Sequence, residues 1–184
     1  MRLKPLSLII AASLGLGCAS AVRVSQDYDT QFSFADLQTY GWIQESGMAR
    51  DEQGVRYPLI EQRIRDAVDR ELASKGYRRV DANQADFVVA FHAGAEDKLD
   101  VFTTYDYYGY GWRRGYISET TNVRQYTEGT LLIDVIATSS KELVWRGVGS
   151  RSLSSDRDPE KVTQRINEAV RDILAEFPPQ PEAG

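Results

Sequence analysis

The sequence predicts a single α+β domain, a mostly antiparallel β-sheet with two amphipathic helices packed on one face. Three observations predict it. Two segments, Pro58 to about Lys75 and Pro159 to about Glu176, repeat apolar residues at helical spacing and carry stop signals at both ends. Seven further segments alternate or run apolar over strand lengths. Most connections between them are too short for the crossovers that parallel strands need.

In chain order, the N-terminus stands outside this domain. Arg2 and Lys4 precede an apolar run from Leu6 to Gly17 that is too short to span a bilayer as a helix. Basic residues, a short apolar run and then small residues are the pattern of a secretory signal, here residues 1–17. Cys18 is the sole cysteine and ends the stretch LGLGC. Bacterial lipoprotein signals end in such a cysteine, which is lipidated and becomes the first residue. Gly15 departs from that pattern, which has an aliphatic residue there. Ala19-Ser20-Ala21 offers a rival cut that would release a soluble periplasmic protein from Val22 onward. With Cys18 lipidated, residues 18–23 form an anchor and a short tether, because an extended residue reaches only about 3.5 Å. More than one acyl chain makes such anchorage stable. Ala19 rather than Asp after the cysteine points to the outer membrane, facing the periplasm. Loss of Arg2 and Lys4 moves the formal charge from -5 to -7. A chain so acidic is a poor partner for nucleic acid or an anionic membrane surface.

The expected domain covers residues 24–179, followed by a disordered tail at 180–184. VRVSQDY (22–28) and LQTYGWI (37–43) alternate as strands do. In the first helix Ile60, Ile64, Ala67, Val68 and Leu72 make one apolar stripe. Pro58 suits its first turn, Gly76 can end it in a left-handed conformation, and Tyr77 can pack back on Leu72. ADFVVAFHA (85–93) is apolar on both faces, as a central strand is. KLDVFTTY (98–105) and TNVRQYT (121–127) read as strands flanking TTYDYYGYGWRRGY (103–116), expected as a loop. GTLLIDVIA (129–137) and ELVWRGVGS (142–150) form a hairpin through TSSK. Setting Asp134 opposite Arg146 pairs opposite charges and leaves Gly147 and Gly149 room beside Trp145. A shift by one residue places Arg146 against Ile133. The second helix starts at Asp158-Pro159, a good cap and first turn, carries Val162, Ile166, Ala169, Val170, Ile173 and Leu174 inward, and stops at Pro178-Pro179. RIRDAVDRELA (63–73) aligns with RINEAVRDILA (165–175), and Trp42 and Trp145 precede them by similar distances. Two ββα-like units follow, from an old duplication or from the shared demands of helices that pack on a sheet.

Asp27-Tyr28-Asp29, TYGW (39–42), ADFVVAFH (85–92), YTEGTLLIDV (126–135), LVWRG (143–147) and INEAV with a terminal FPP occur in this order. Together they resemble the bacterial envelope lipoproteins of domain-of-unknown-function family 4136, over roughly residues 24 to 179. The resemblance implies an exported, usually lipid-anchored domain. It brings no catalytic residues.

Chemistry is sparse. His92 is the sole histidine, which excludes a site of two histidines, and its strand reads as buried, so a structural, hydrogen-bonded role is expected. No serine lies in a G-x-S-x-G elbow, and GYGWRRG lacks the lysine and hydroxyl of a phosphate loop. No cofactor or metal is expected. An enzyme would have to be a two-carboxylate hydrolase, and nothing marks a particular pair. Arg78-Arg79 and Arg113-Arg114 read as solvated loop pairs. The aromatic stretch is the candidate ligand or partner site: Tyr105, Tyr107, Tyr108, Tyr110, Trp112, Arg113 and Tyr116. Exposed aromatic rings with polar edges suit a glycan, such as peptidoglycan, or a protein surface. A Tyr/Gly-rich connection folded partly over the sheet is the plainer reading. The function expected is therefore a non-enzymatic envelope lipoprotein acting through protein contacts near the membrane, with a carbohydrate-binding module as the alternative.

Overall fold

The computed structural model describes residues 22–43, 48–51, 56–108 and 116–180, with the backbone course alone for 48–51, 102–108 and 116–121. Seven strands form one sheet, and two helices of 17 residues each share its core. The elements run β1 (Arg23–Tyr28), β2 (Thr39–Trp42), β3 (Met48–Asp51), α1 (Pro58–Ser74), β4 (Arg78–Arg79), β5 (Phe87–Tyr108), β6 (Tyr116–Ala137), β7 (Leu143–Ser152) and α2 (Pro159–Ala175). In space the strands lie in the order β1-β7-β6-β5-β2-β4, and β3 pairs with β5 beyond β2.

The pairs β1–β7, β7–β6 and β6–β5 are antiparallel and contain most of the ladder. β2–β5, β2–β4 and β3–β5 are parallel. Parallel pairing arises where α1 lies between β3 and β4 in the chain and returns it in the same direction. The two strand–strand–helix units are present in chain order, but their strands sit differently. β6 and β7 are hairpin neighbours, whereas β1 and β2 lie on opposite sides of the β7–β6–β5 group.

The helix ends follow the local chemistry. Asp158 accepts from the backbone N–H of Glu160 and of Lys161, both at 3.0 Å, and Pro159 occupies the first turn of α2. Pro58 does the same for α1. Gly76 closes α1 at φ 92°, where a side chain would be strained, and the Tyr77 N–H then reaches back to the Leu72 carbonyl. The Tyr77 ring packs on Phe87 and Phe177.

Along the central strands the odd-numbered residues face the helices. Phe87, Val89 and Phe91 of β5 stand opposite Ala137, Val135 and Ile133 of β6, and all six are buried. Val68 and Leu72 of α1, Val170, Ile173 and Leu174 of α2, and Phe177 close over them. Trp145 is fully enclosed, and its indole N–H donates to Gln26 Oε1 at 2.9 Å, so its one polar atom is satisfied. Trp42, less deeply placed, lies under the Arg65 guanidinium at 4.5 Å.

Two expectations of separate strands are corrected here. The segments 85–93 and 98–105 belong to one strand, β5, and 121–127 and 129–137 belong to one strand, β6. GAEDK (94–98) and Gly129 looked like breaks because they are polar or flexible. The two arms pair residue for residue without a shift, so each holds the other extended. Glu96 and Glu128 even stand opposite each other. Each takes a cation, Lys98 at 2.9 Å from Glu96, and Arg23 on Glu128.

Candidate functional site

The long β5–β6 hairpin outruns the rest of the sheet. β3 pairs with β5 as far as Ala95, and β7 pairs with β6 as far as Glu128. From Asp97 opposite Thr127 to Tyr108 opposite Tyr116, twelve residues per arm pair only with each other among the described residues. At about 3.3 Å per residue the ribbon is about 40 Å long. A single Leu153 N–H on the Thr127 carbonyl, at 2.7 Å, is the last bond the sheet lends it.

One ribbon face continues the helix-facing side of the sheet past the point where the helices stop. Leu99, Val101 and Val123 lie on it, with Val101 directly opposite Val123. They are 68%, 59% and 62% exposed, so three apolar side chains that would be core further back face solvent here. The opposite face carries Lys98, Asp100, Arg124 and Tyr126.

The candidate aromatic stretch lies at the far end of this ribbon. Tyr105, Tyr107 and Tyr108 belong to β5, opposite Glu119, Ile117 and Tyr116 of β6. The loop expected over 103–116 is thus corrected at both ends, since strand pairing runs through Tyr108 and resumes at Tyr116. Thr103, Thr104 and the tyrosines suit extended backbone, and the glycines that signalled a loop begin only at 109. Tyr110, Trp112 and Arg113 lie outside the described residues, as does Cys18.

Elsewhere, polar side chains are tied into structure. Asp134 stands opposite Arg146, and Val135 opposite Trp145, in the register expected from their charges and sizes. Asp69 on α1 accepts from the Tyr40 hydroxyl at 2.8 Å and the Trp42 indole N–H at 2.9 Å on one oxygen, and from Arg79 at 2.8 Å on the other. Arg79 is therefore held by an ion pair rather than merely solvated. Burial, then the hydrogen bond to Asp69, raises the Tyr40 hydroxyl well above its ordinary pKa. Asp86 accepts from the Thr39 hydroxyl at 2.7 Å and from the Gln38 and Thr39 N–H groups, which holds its carboxyl below the usual range. These groups brace β2 against α1 and β5.

His92 corrects an expectation. It lies inside β5 rather than at its end, opposite Leu132, and its side chain is exposed. The apolar run around it alternates faces, and helices cover only one of them. Among the described residues no three His, Cys, Asp or Glu side chains gather as a metal set, and no helix is long and apolar enough to cross a membrane.

Sequence reasoning also gave no sign of a shallow depression beside the ribbon's root, whose lining includes Arg23, Arg124 and Arg151. They come from β1, β6 and β7, and no local motif links them. Only the strand order and register could have joined them.

A mixed α+β sheet with both helices on one face is the class of fold defined here. The chain belongs to the family described as Domain of unknown function (DUF4136), whose match covers residues 24–179. No curated protein matches it. Among solved structures it is similar in fold to a PDZ domain protein from Parabacteroides distasonis, at a TM-score of 0.56 and 13% identity. That likeness covers 88% of this chain but 37% of the other, so this chain spans little more than a third of that protein's length. A PelC dodecamer from Paraburkholderia phytofirmans matches at 0.47 and 13% identity over 84% of this chain and 95% of that one. A putative neuraminyllactose-binding hemagglutinin homolog from Helicobacter pylori matches at 0.40 and 10% identity, over 77% and 81%.

Proposed function

We propose that this protein is a non-enzymatic lipoprotein of the cell envelope, held at the outer membrane by Cys18 and acting through protein contacts made by the β5–β6 ribbon. The observation that carries the reading is the ribbon. An isolated two-stranded hairpin is marginal in water, and long unpaired edges invite pairing with another chain. Among the described residues this one leaves both edges unpaired, and it presents the exposed apolar group of Leu99, Val101 and Val123. A surface of that kind gains by being covered. The aromatic composition of 103–116 extends the same surface with rings suited to interfaces. The tether reading rests on the N-terminal signal pattern and on a lone cysteine at its end.

Two measurements test the two halves of the proposal. Cys18→Ser should move the protein from the membrane to the soluble envelope fraction, and a variant that stays on the membrane contradicts the anchor. Replacing Leu99, Val101 and Val123 together with Ser should reduce the native size of the solubilised assembly while the domain remains folded. An unchanged assembly removes the ribbon as the contact surface. Loss of glycan binding in Tyr108→Ala, with the assembly intact, would favour the carbohydrate-binding alternative.

A further inference from the structure

We infer that the ribbon is turned toward the membrane that holds Cys18, and that its protein partner is held in that same membrane. The inference rests on the anchored, ribbon-contact reading above. β1 begins at Arg23, level with Ser150 of β7, Thr130 of β6 and Gly94 of β5, which is the root of the ribbon. β1 is antiparallel to β7, and β7 to β6, so β1 runs in the direction of β6, from the ribbon into the body. The chain that precedes Arg23 therefore enters from the ribbon's end. Strand twist spreads these directions without reversing them.

Reach then limits the orientation. Cys18 and Arg23 are five residues apart, at most about 17 Å of extended chain. The ribbon alone is about 40 Å long, and Leu99, Val101 and Val123 lie about 17–23 Å past its root. In the other direction the body runs from Thr130 to Ala137, about 23 Å, before the turn to β7. Pointing the ribbon away from the bilayer would require the tether to span that body, and it is too short. Upright, the domain brings the apolar group to the bilayer surface. Lying down, it lays the ribbon along that surface. In both positions, what covers Leu99, Val101 and Val123 must itself be at the membrane. Lipid alone is the poorer cover, because a chain of formal charge -5 gains little from an anionic surface. One ribbon face, about 40 by 10 Å, offers about half of the roughly 800 Å² per partner of a stable interface. So small a contact gains most from a partner confined to the same surface, where its effective concentration is high.

Two measurements on the full lipidated chain test this. In the first, Val123→Cys or Ser139→Cys carries a thiol-linked fluorophore in phosphatidylcholine vesicles that contain headgroup spin labels. Ser139 lies exposed in the turn between β6 and β7, at the far end of the sheet. Quenching should be several-fold stronger at Val123. Equal quenching, or stronger quenching at Ser139, overturns the orientation whether or not the ribbon has a partner. In the second, benzophenylalanine at Val123 is cross-linked in the native envelope, with Cys18 and with Cys18→Ser. A protein adduct should stay with carbonate-washed membranes and fall about tenfold or more in Cys18→Ser, as the effective concentration is lost. An adduct formed equally by Cys18→Ser, or one to a soluble protein, overturns the inference and leaves the ribbon contact standing. An adduct to lipid alone overturns it in favour of lipid. No adduct at all removes the ribbon contact itself, and the inference with it.

Discussion

Arg146 grips Asp134 across the β6–β7 ladder with two parallel hydrogen bonds, Nε to Oδ1 at 2.7 Å and Nη2 to Oδ2 at 2.8 Å. Asp134 is buried, whereas Arg146 is partly in solvent. Removing the arginine therefore leaves a buried carboxylate without its counter-charge, and removing both partners does not. Arg146→Ala is expected to cost about 1–3 kcal/mol, kept to that range because solvent reaches Arg146 and screens the pair. The double variant Arg146→Leu with Asp134→Leu should lose clearly less. Urea unfolding of the three proteins checks the ordering, and equal losses would show that the carboxylate left unpaired in Arg146→Ala carries no penalty.

Two glycines should resist a single methyl group for different reasons. A Cβ on Gly147 would lie 2.4 Å from the Trp145 ring and 2.5 Å from Ile173. Both are enclosed side chains in one packed layer, so Gly147→Ala is expected to cost about 1–3 kcal/mol by overpacking. A Cβ on Gly41 would lie 2.6 Å from the Ala82 Cα, which is backbone and cannot rotate away. Gly41→Ala should therefore be the more damaging, and melting temperatures of the two variants decide the order.

Asp69 collects the polar ends of Tyr40 and Trp42. Asp69→Ala leaves a hydroxyl and an indole N–H without an acceptor in a largely closed layer, a loss of about 2–4 kcal/mol. Asp69→Asn retains one carbonyl oxygen in the same place and should lose much less. Equal destabilisation by Ala and Asn would mean that the counter-charge to Arg79, rather than hydrogen bonding to Tyr40 and Trp42, is what Asp69 supplies.

Asp86 gives the fold an acid-sensitive joint. Its carboxyl is held below the ordinary value of 3.8, first by the Thr39 hydroxyl and then by the Gln38 and Thr39 N–H groups. A depressed folded value means that the ionised form is favoured in the native state. The stabilisation is complete above the unfolded value and is lost as pH falls through the folded one. The difference in stability between the native protein and Asp86→Asn should thus be constant near neutral pH and shrink below about pH 4. A gap that persists unchanged to pH 2 would contradict this.

Much of the fold was legible because its signals are local. The Asp158-Pro159 start, the Gly76 stop and the apolar stripes of both helices need only a few neighbouring residues. The Asp134–Arg146 register was legible because charge and size agree on one alignment. β3 and β4 were not. Four and two residues long, they exist because β5 and β2 offer them edges, and such short strands carry no periodicity of their own. The length of β5 and β6 was hidden for a similar reason. Glu96, Asp97 and Lys98 look like a turn in one strand, yet Thr127 donates to Asp97 at 2.7 Å from the other arm and helps keep the chain extended. His92 misled because a run of apolar residues does not say which face a helix will cover. Arg23 and Arg151 lie 128 positions apart, and only long-range strand pairing brings both to the lining of one depression.

The central claim is that the ribbon, and not the helical face, meets a protein partner. Val123 on the ribbon and Leu59 on α1 are similarly exposed, at 62% and 66%, which makes them a matched pair. A photo-reactive benzophenylalanine placed at each position in the native envelope asks which surface is covered. The account predicts a discrete cross-linked product from Val123 and none from Leu59. A product from Leu59 with none from Val123 would contradict it.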